Sequence, residues 1–350
     1  MTSLGTEPPV HLEGDMGHRI RVVYRDGSGK IHLDWPAGRV LDAVEDRQGT
    51  VWVDIHDANS EPSGEVEALL SDVFHFHPLA IEDALKESHV PRVDDWDDYL
   101  YLVFHSIDFD PESDGLRLHE LDMFLGANYL VTYHTEALQL IDWHRRNIER
   151  DPENRLKHGA DHLLYHLLDK GVSEYMPALE HLEDTVDAAQ DEVFERPTTR
   201  TLQTIFQIKR STIRLHRILG PQREVLNRLA RDDYGQIAAK HRVYFRDVYD
   251  HLVRIHDITE TLRDLISGAL DTYLSAIANR TNDIMKALTL VTVLFMPMSF
   301  LVGFFGMNFF GESLEFRAWL PKDTLFAGVC LVTFLTPGAM WLWARRRGWF

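Results

Sequence analysis

Residues 287–305 read ALTLVTVLFMPMSFLVGFF, and residues 324–344 read TLFAGVCLVTFLTPGAMWLWA. Each run is about the 20 residues that a helix needs to cross the hydrocarbon core of a bilayer, and neither holds a charged side chain. One such run would also suit the buried helix of a globular protein. Two runs, joined by a short polar connection and bounded by charge, predict two membrane spans. Arg345, Arg346 and Arg347 close the second span, and Arg280 and Lys286 flank the first. The connection sets Arg317 and Lys322 against Glu312, Glu315 and Asp323. This bias of basic residues places both chain termini on the cytoplasmic side of a multi-pass protein of the inner (cytoplasmic) membrane.

Working outward, the formal charge of -19 is unevenly spread. Residues 281–350 carry six Lys/Arg and four Asp/Glu, leaving thirty and fifty-one to residues 1–280, so the two parts stand at +2 and -21. An acidic body repels nucleic acid and attracts cations, although acidity also serves solubility alone. The single cysteine, Cys330, lies in the second apolar run and can build neither a disulfide framework nor a CxxC metal site. Residues 1–17 are polar and show no signal-peptide pattern.

Residues 1–136 alternate strand-like runs with turn signals: 20–24, a turn at Asp26-Gly27-Ser28-Gly29, 31–35, 51–55, 99–105, 120–125 and 129–133. Helical patterns at 65–74 and 78–87 interrupt them, so this part is expected to be a cytosolic α/β domain. From 137 to 233 the pattern is a helical hairpin region, with breaks at Arg196-Pro197 and near Gly220-Pro221. Between Pro221 and Pro297 there is no proline, and the helical pattern runs straight into the first span, from about Tyr234 to 305. Such a helix would be on the order of 100 Å long, too long to pack inside a monomer of this size. It predicts a stalk packed against copies of itself. A loop at 306–323 and a second span with a basic tail at 324–350 complete an α+β membrane protein.

At about 100° per residue, Asn282, Met285, Leu288, Thr292, Met296, Ser299 and Gly303 fall within an arc of roughly 120° on the first span. A stripe of small and polar groups serves either as a helix-packing face or as a pore lining. Asp247 and His251, four apart, share one face of the stalk and suit either a solvated, salt-bridged surface or two ligands of one ion. The run Asp94-Asp95-Trp96-Asp97-Asp98 reads as a solvated loop, and His75 and His77 as structural rather than zinc ligands. Asp187, Asp191, Glu192 and Glu195 form an acidic helix end, which either faces the basic tail or is simply solvated. No GxSxG, HExxH, GxxxxGK[ST] or GxGxxG motif occurs, so no enzyme activity is expected.

The segment Thr281-Asn282-Asp283-Ile284-Met285-Lys286, through Met296-Pro297, to Gly306-Met307-Asn308 resembles the pore helix and GMN signature of the CorA family of magnesium channels. Arg246-Asp247-Val248-Tyr249-Asp250-His251 resembles the family's stalk, and His77-Pro78-Leu79 with Glu82-Asp83 its α/β domain. The resemblance implies a homopentameric funnel whose five stripes line the pore. Gly306, Met307 and Asn308 would form the selectivity entrance, where amide and carbonyl oxygens hold the hydrated ion. Met296, Leu288 and Met285 would be apolar constrictions that close by dewetting, with Asn282, Ser299 and Gly303 as polar or small stations. Thr292 departs from the small apolar residue expected there. The resemblance further implies that Asp83 and Asp247 bind a regulatory ion between adjacent subunits, with Glu82, Asp169 and His251 forming a neighbouring site. Mg²⁺ is then both cargo and regulator, with Co²⁺ and Ni²⁺ as mimics, and no prosthetic group is implied. The loop Phe309-Phe310-Gly311-Glu312-Ser313-Leu314-Glu315 lacks the family's Met-Pro-Glu-Leu. A ZntB-like, proton-driven zinc transporter is the alternative, favoured by nineteen histidines and opposed by the intact GMN and the absence of His or Cys from the stripe.

Overall fold

Val, Ile, Tyr and Trp dominate the runs that become strands, because branched and aromatic side chains suit a pleated, buried surface. The computed structural model describes residues 18–58, 63–86, 90–110, 115–306 and 322–347. The chain divides into two compact units, Met1–Ala189 with Gln203–Ala269, and Gln190–Leu202 with Leu270–Phe350.

The first unit holds seven strands: β1 (His18–Arg25), β2 (Ile31–His32), β3 (Thr50–Asp57), β4 (Arg92–Asp95), β5 (Leu100–Asp110), β6 (Gly115–Leu125) and β7 (Tyr129–His134). They form one sheet in the order β2-β1-β3-β7-β6-β5-β4, in which β3 and β7 pair in parallel and every other pair is antiparallel. Central β3 is buried along nearly its whole length, as expected of a strand covered on both faces. On one face, Val22, Val51, Val53, Tyr101, Phe124 and Val131 pack beneath α1 (Val40–Glu45), α2 (Gly64–Ala68) and α3 (Pro78–Leu85), around a stack of Phe76 on Phe124 with ring centres 4.2 Å apart.

The opposite face carries a buried polar chain. Trp52 Nε1 donates to Thr132 Oγ1 at 3.2 Å, the Thr132 hydroxyl donates to Asp54 at 2.8 Å, and His134 Nε2 lies 3.2 Å from the same carboxylate oxygen. Over this face lies α6 (Ala160–Ser173), preceded by α4 (Gln139–Arg150) and α5 (Pro152–Leu156). Then come α7 (Tyr175–Glu195), α8 (Thr199–Arg231), α9 (Arg242–Gly306) and α10 (Lys322–Arg346). Within the first unit α9 buries Phe245, Val248, Leu252, Ile255, Thr259, Leu262, Ile266 and Ala269. Their alternating three- and four-residue spacing is the seam of a coiled-coil-like packing.

The turn at 26–29, the break at Arg196-Pro197 and a helix without interruption into the first apolar run are all found. At the break, Thr198 and Thr201 cap each other reciprocally, each hydroxyl accepting the other's backbone N–H at 3.1 and 3.2 Å. Three expectations are corrected. The break near Gly220-Pro221 does not occur, since α8 runs through Pro221. A proline there removes one backbone bond, but buried Leu219, Gln222, Val225 and Leu226 hold the helix, and Gln222 accepts the buried His105 N–H of β5 at 3.0 Å. The long helix starts at Arg242 rather than near Tyr234, because Tyr234–His241 is turned around Asp161, which accepts from Ala238 N at 2.9 Å and contacts His241 Nδ1 at 2.7 Å. The acidic run at 94–98 is only partly loop: Asp94 and Asp95 belong to edge strand β4, and Asp97, at φ 64°, forms the turn into β5.

In the second unit the apolar length of α9 leaves Met285, Leu288 and Met296 exposed at 60, 65 and 66 %, with Ile284, Val291, Phe295, Phe300 and Val302 also uncovered. On α10, Leu331, Phe334, Leu335 and Leu342 are likewise exposed. Apolar surface of this extent is stable only against lipid or other protein. The hydroxyls of Thr292, Thr333 and Thr336 donate to the carbonyls four residues back, at 2.7–2.9 Å, so none faces an apolar medium unpaired.

Candidate ion-handling sites

All seven stripe residues lie on α9, which Gly306 closes, while Met307 and Asn308 lie outside the described residues. The helical periodicity therefore applies across the whole stripe, and Asn282, Thr292, Ser299 and Gly303 interrupt its thioether and leucine positions. The Thr292 hydroxyl is engaged with Leu288 O at 2.9 Å, so this position presents mainly a methyl group. Lys286 folds back onto Asp283 at 3.1 Å, neutralising the carboxylate at the mouth of the apolar run.

In the first unit, three expected ligands converge. Asp169 projects from α6, and Asp247 and His251 from successive turns of α9. Burial raises the Asp169 carboxyl above its ordinary range; nearby His251 opposes this and Asp247 adds to it. Half-buried Asp169 thus has the exposed side chains of Asp247 and His251 within electrostatic reach, a group in which the two carboxylates repel each other. The Tyr165 hydroxyl is pushed up by burial and, beyond that, by Asp169 and Asp247.

The other two expected ligands are engaged elsewhere within the chain. His77 caps α3, its Nδ1 accepting from Leu79 N at 3.2 Å ahead of Pro78, and its ring stacks on Trp96 at 4.3 Å. This is the structural role expected of it. The cap positions Glu82 and Asp83 on the last turns of α3. Glu82 pairs with Lys86 at 2.6 Å, which lowers its pKa, and Asp83 meets Arg92 Nη2 at 2.5 Å. Arg92 also reaches Asp94, with Nε at 3.2 Å. Within one chain, then, Asp169, Asp247 and His251 form one group, and Glu82 and Asp83 each hold a basic partner.

A third cluster was not foreseen: His216 on α8 with His256 and Glu260 on α9. The only sequence signal was the four-residue spacing of His256 and Glu260, since the residue that completes the group lies forty positions upstream.

An acidic α/β unit, a 65-residue helix passing into an apolar run, and a second apolar helix fit an integral membrane protein with two spans. Residues 47–346 match the family described as CorA-like Mg²⁺ transporter protein, and the chain belongs to that family, whose members are transporters rather than enzymes. The cobalt/magnesium transport protein CorA of Thermotoga maritima is 35 % identical over 269 residues, 77 % of each chain. The complete structure of the CorA magnesium transporter from Methanocaldococcus jannaschii superposes with a TM-score of 0.77 at 23 % identity, covering 94 % of this chain and 99 % of that one. The cytoplasmic domain of ZntB from Vibrio parahaemolyticus shares the fold more distantly, with a TM-score of 0.56 at 14 % identity over 74 % of this chain and 98 % of that one.

Proposed function

We propose that the chain assembles as a homopentameric funnel in the cytoplasmic membrane and conducts Mg²⁺ through a pore lined by the α9 stripe, gated by divalent ions bound between subunits on the cytosolic side. The observation that carries this is the continuity of α9. One helix holds Asp247 and His251 near its start and the whole stripe, from Asn282 to Gly303, in its apolar length further along. The acidic end and the constriction are thus joined by one uninterrupted helix.

The ion chemistry follows from hardness. Mg²⁺ keeps its waters and prefers oxygen donors, and the stripe offers amide, hydroxyl and backbone oxygens but no imidazole or thiolate. Asn308 would ring the entrance, with Gly306 and Met307 shaping it, while Met285, Leu288 and Met296 close the path by dewetting. A dication linking Asp83 of one subunit to Asp247 of the next, with Glu82, Asp169 and His251 alongside, would convert carboxylate repulsion into a cross-link that favours the closed state. It does so only by binding that state more tightly, so the sites must empty as internal Mg²⁺ falls.

The test is ion uptake by proteoliposomes containing the purified protein, comparing Mg²⁺ with Zn²⁺ at several proton gradients, with Asn308→Ala alongside. Magnesium flux that ignores the gradient and is abolished by the substitution is the expected result. Zinc flux that requires the gradient, with little magnesium flux, would overturn it in favour of a ZntB-like mechanism and point to the divergent loop after Asn308.

A further inference from the structure

His216 and His256 lie ring to ring across the α8/α9 seam, their centres 5.1 Å apart and their planes tilted by 42°. His216 Nε2 is 3.7 Å from Glu260 Oε1, and one donor atom from each of the three residues falls within 4.8 Å of the other two. His256 is only 9 % exposed, and its Nδ1 is sealed from solvent without a hydrogen-bond partner. Buried polar atoms almost always find a partner, so this nitrogen requires an explanation. The His216–Glu260 pair beside it, at 3.7 Å, is itself too long for a hydrogen bond.

We propose that His216, His256 and Glu260 bind a first-row transition dication of the zinc or cobalt type, clamping α8 to α9. Two imidazoles and a carboxylate, with water in the fourth position, are a donor set such ions accept, whereas Mg²⁺ takes oxygen ligands and keeps its waters. Spacing supports it: His256 and Glu260, four apart, project from one face of α9, and His216 reaches them from the facing helix. Bonds of about 2.1 Å at tetrahedral angles require donors roughly 3.4 Å apart. The 3.7 Å pair is nearly there, and exposed Glu260 has room to swing inward. This site is not the Asp247–His251 group: His256 lies five positions after His251, about 140° around the helix.

The site goes beyond the proposed transport function and does not depend on it. Its test is titration of the purified, metal-stripped, full-length protein with Co²⁺ in excess Mg²⁺, followed by the visible ligand-field absorption of the bound ion. One bound Co²⁺ with nitrogen ligands is expected, its affinity weakened at least about tenfold by His216→Gln, His256→Gln or Glu260→Gln. Asp247→Asn and Asn308→Ala should leave it unchanged. Glu260→Gln alters an exposed side chain, and a melting curve for each variant separates loss of the site from loss of the fold. Absence of Co²⁺ binding in excess Mg²⁺ would overturn the proposal, as would binding that survives His256→Gln or is lost in Asp247→Asn alone.

Discussion

Replacing Arg92 by methionine is expected to tighten Mg²⁺ binding at the proposed regulatory site by about two- to fivefold. Arg92 Nη2 lies 2.5 Å from Asp83 and Nε 3.2 Å from Asp94, and the guanidinium sits 5.4 Å over the Tyr101 ring. Both nitrogens are sealed from solvent, yet neither makes a well-directed hydrogen bond. Arg92 is thus a close but imperfect cation for Asp83, and an incoming dication must displace it. The three side chains are 33 to 45 % exposed, and pairs of that exposure contribute about 0.2–1 kcal/mol. Because Arg92 serves two carboxylates, the upper part of that range applies, about 0.5–1 kcal/mol, which corresponds to the two- to fivefold change. Methionine keeps the unbranched stem over Tyr101, so the loss of stability should stay near the 0.5–1 kcal/mol of an exposed cation–π contact. The assay is calorimetric Mg²⁺ titration of the full-length protein, with Asp83→Asn as the reference lacking the ligand. Unchanged or weaker affinity in a variant that melts normally would refute the idea that Arg92 and the ion compete for Asp83.

Acid should destabilise the first unit, because burial depresses several histidines: His144 and His166 to about 3 and His162 to about 4. Their folded pKa values lie below the unfolded value, so stability present above about pH 6.5 is lost as pH falls toward 3–4, by up to about 1.4 kcal/mol per pH unit for each group. His134 acts oppositely: Asp54 raises its pKa, so its contribution is complete below about pH 6.5 and fades as pH rises through the folded value. Melting temperatures between pH 4.5 and 7 should rise steeply in the parent and less steeply in His144→Gln; identical slopes would show that His144 does not titrate as described. Gly171→Ala should destabilise by about 1–2 kcal/mol in denaturant titration, since a Cβ there would stand 2.6 Å from the ring of buried Phe104. Gly220→Ala should stabilise by about 0.5–1 kcal/mol, because its Cβ would meet nothing within 4 Å and would shift the same helix-forming balance without a clash.

The two apolar runs, the proline-free approach to the first of them, the seven-residue stripe and the GMN signature were legible in the chain alone, and they led to the family. Composition and periodicity are local properties, and a span of some 20 uncharged residues has few other uses. Six of the sheet's seven strands were visible for the same reason, as runs rich in branched and aromatic residues. Strand β4 was not: Arg92–Asp95 is polar, and only its pairing with β5 makes it a strand. The continuity of α8 through Pro221 was equally hidden, because the buried contacts that offset the proline come from residues distant in sequence. Among the ligands, Asp247 and His251 could be paired from their spacing, but that Asp169 shares their space while Arg92 occupies Asp83 depends on how α6 and β4 pack. The His216, His256 and Glu260 cluster was out of reach for the same reason. One turn of helix puts two donors on a face, but which residue stands opposite is decided only when two helices fix their register against each other, and that register is set by the buried seam from Phe245 to Ala269.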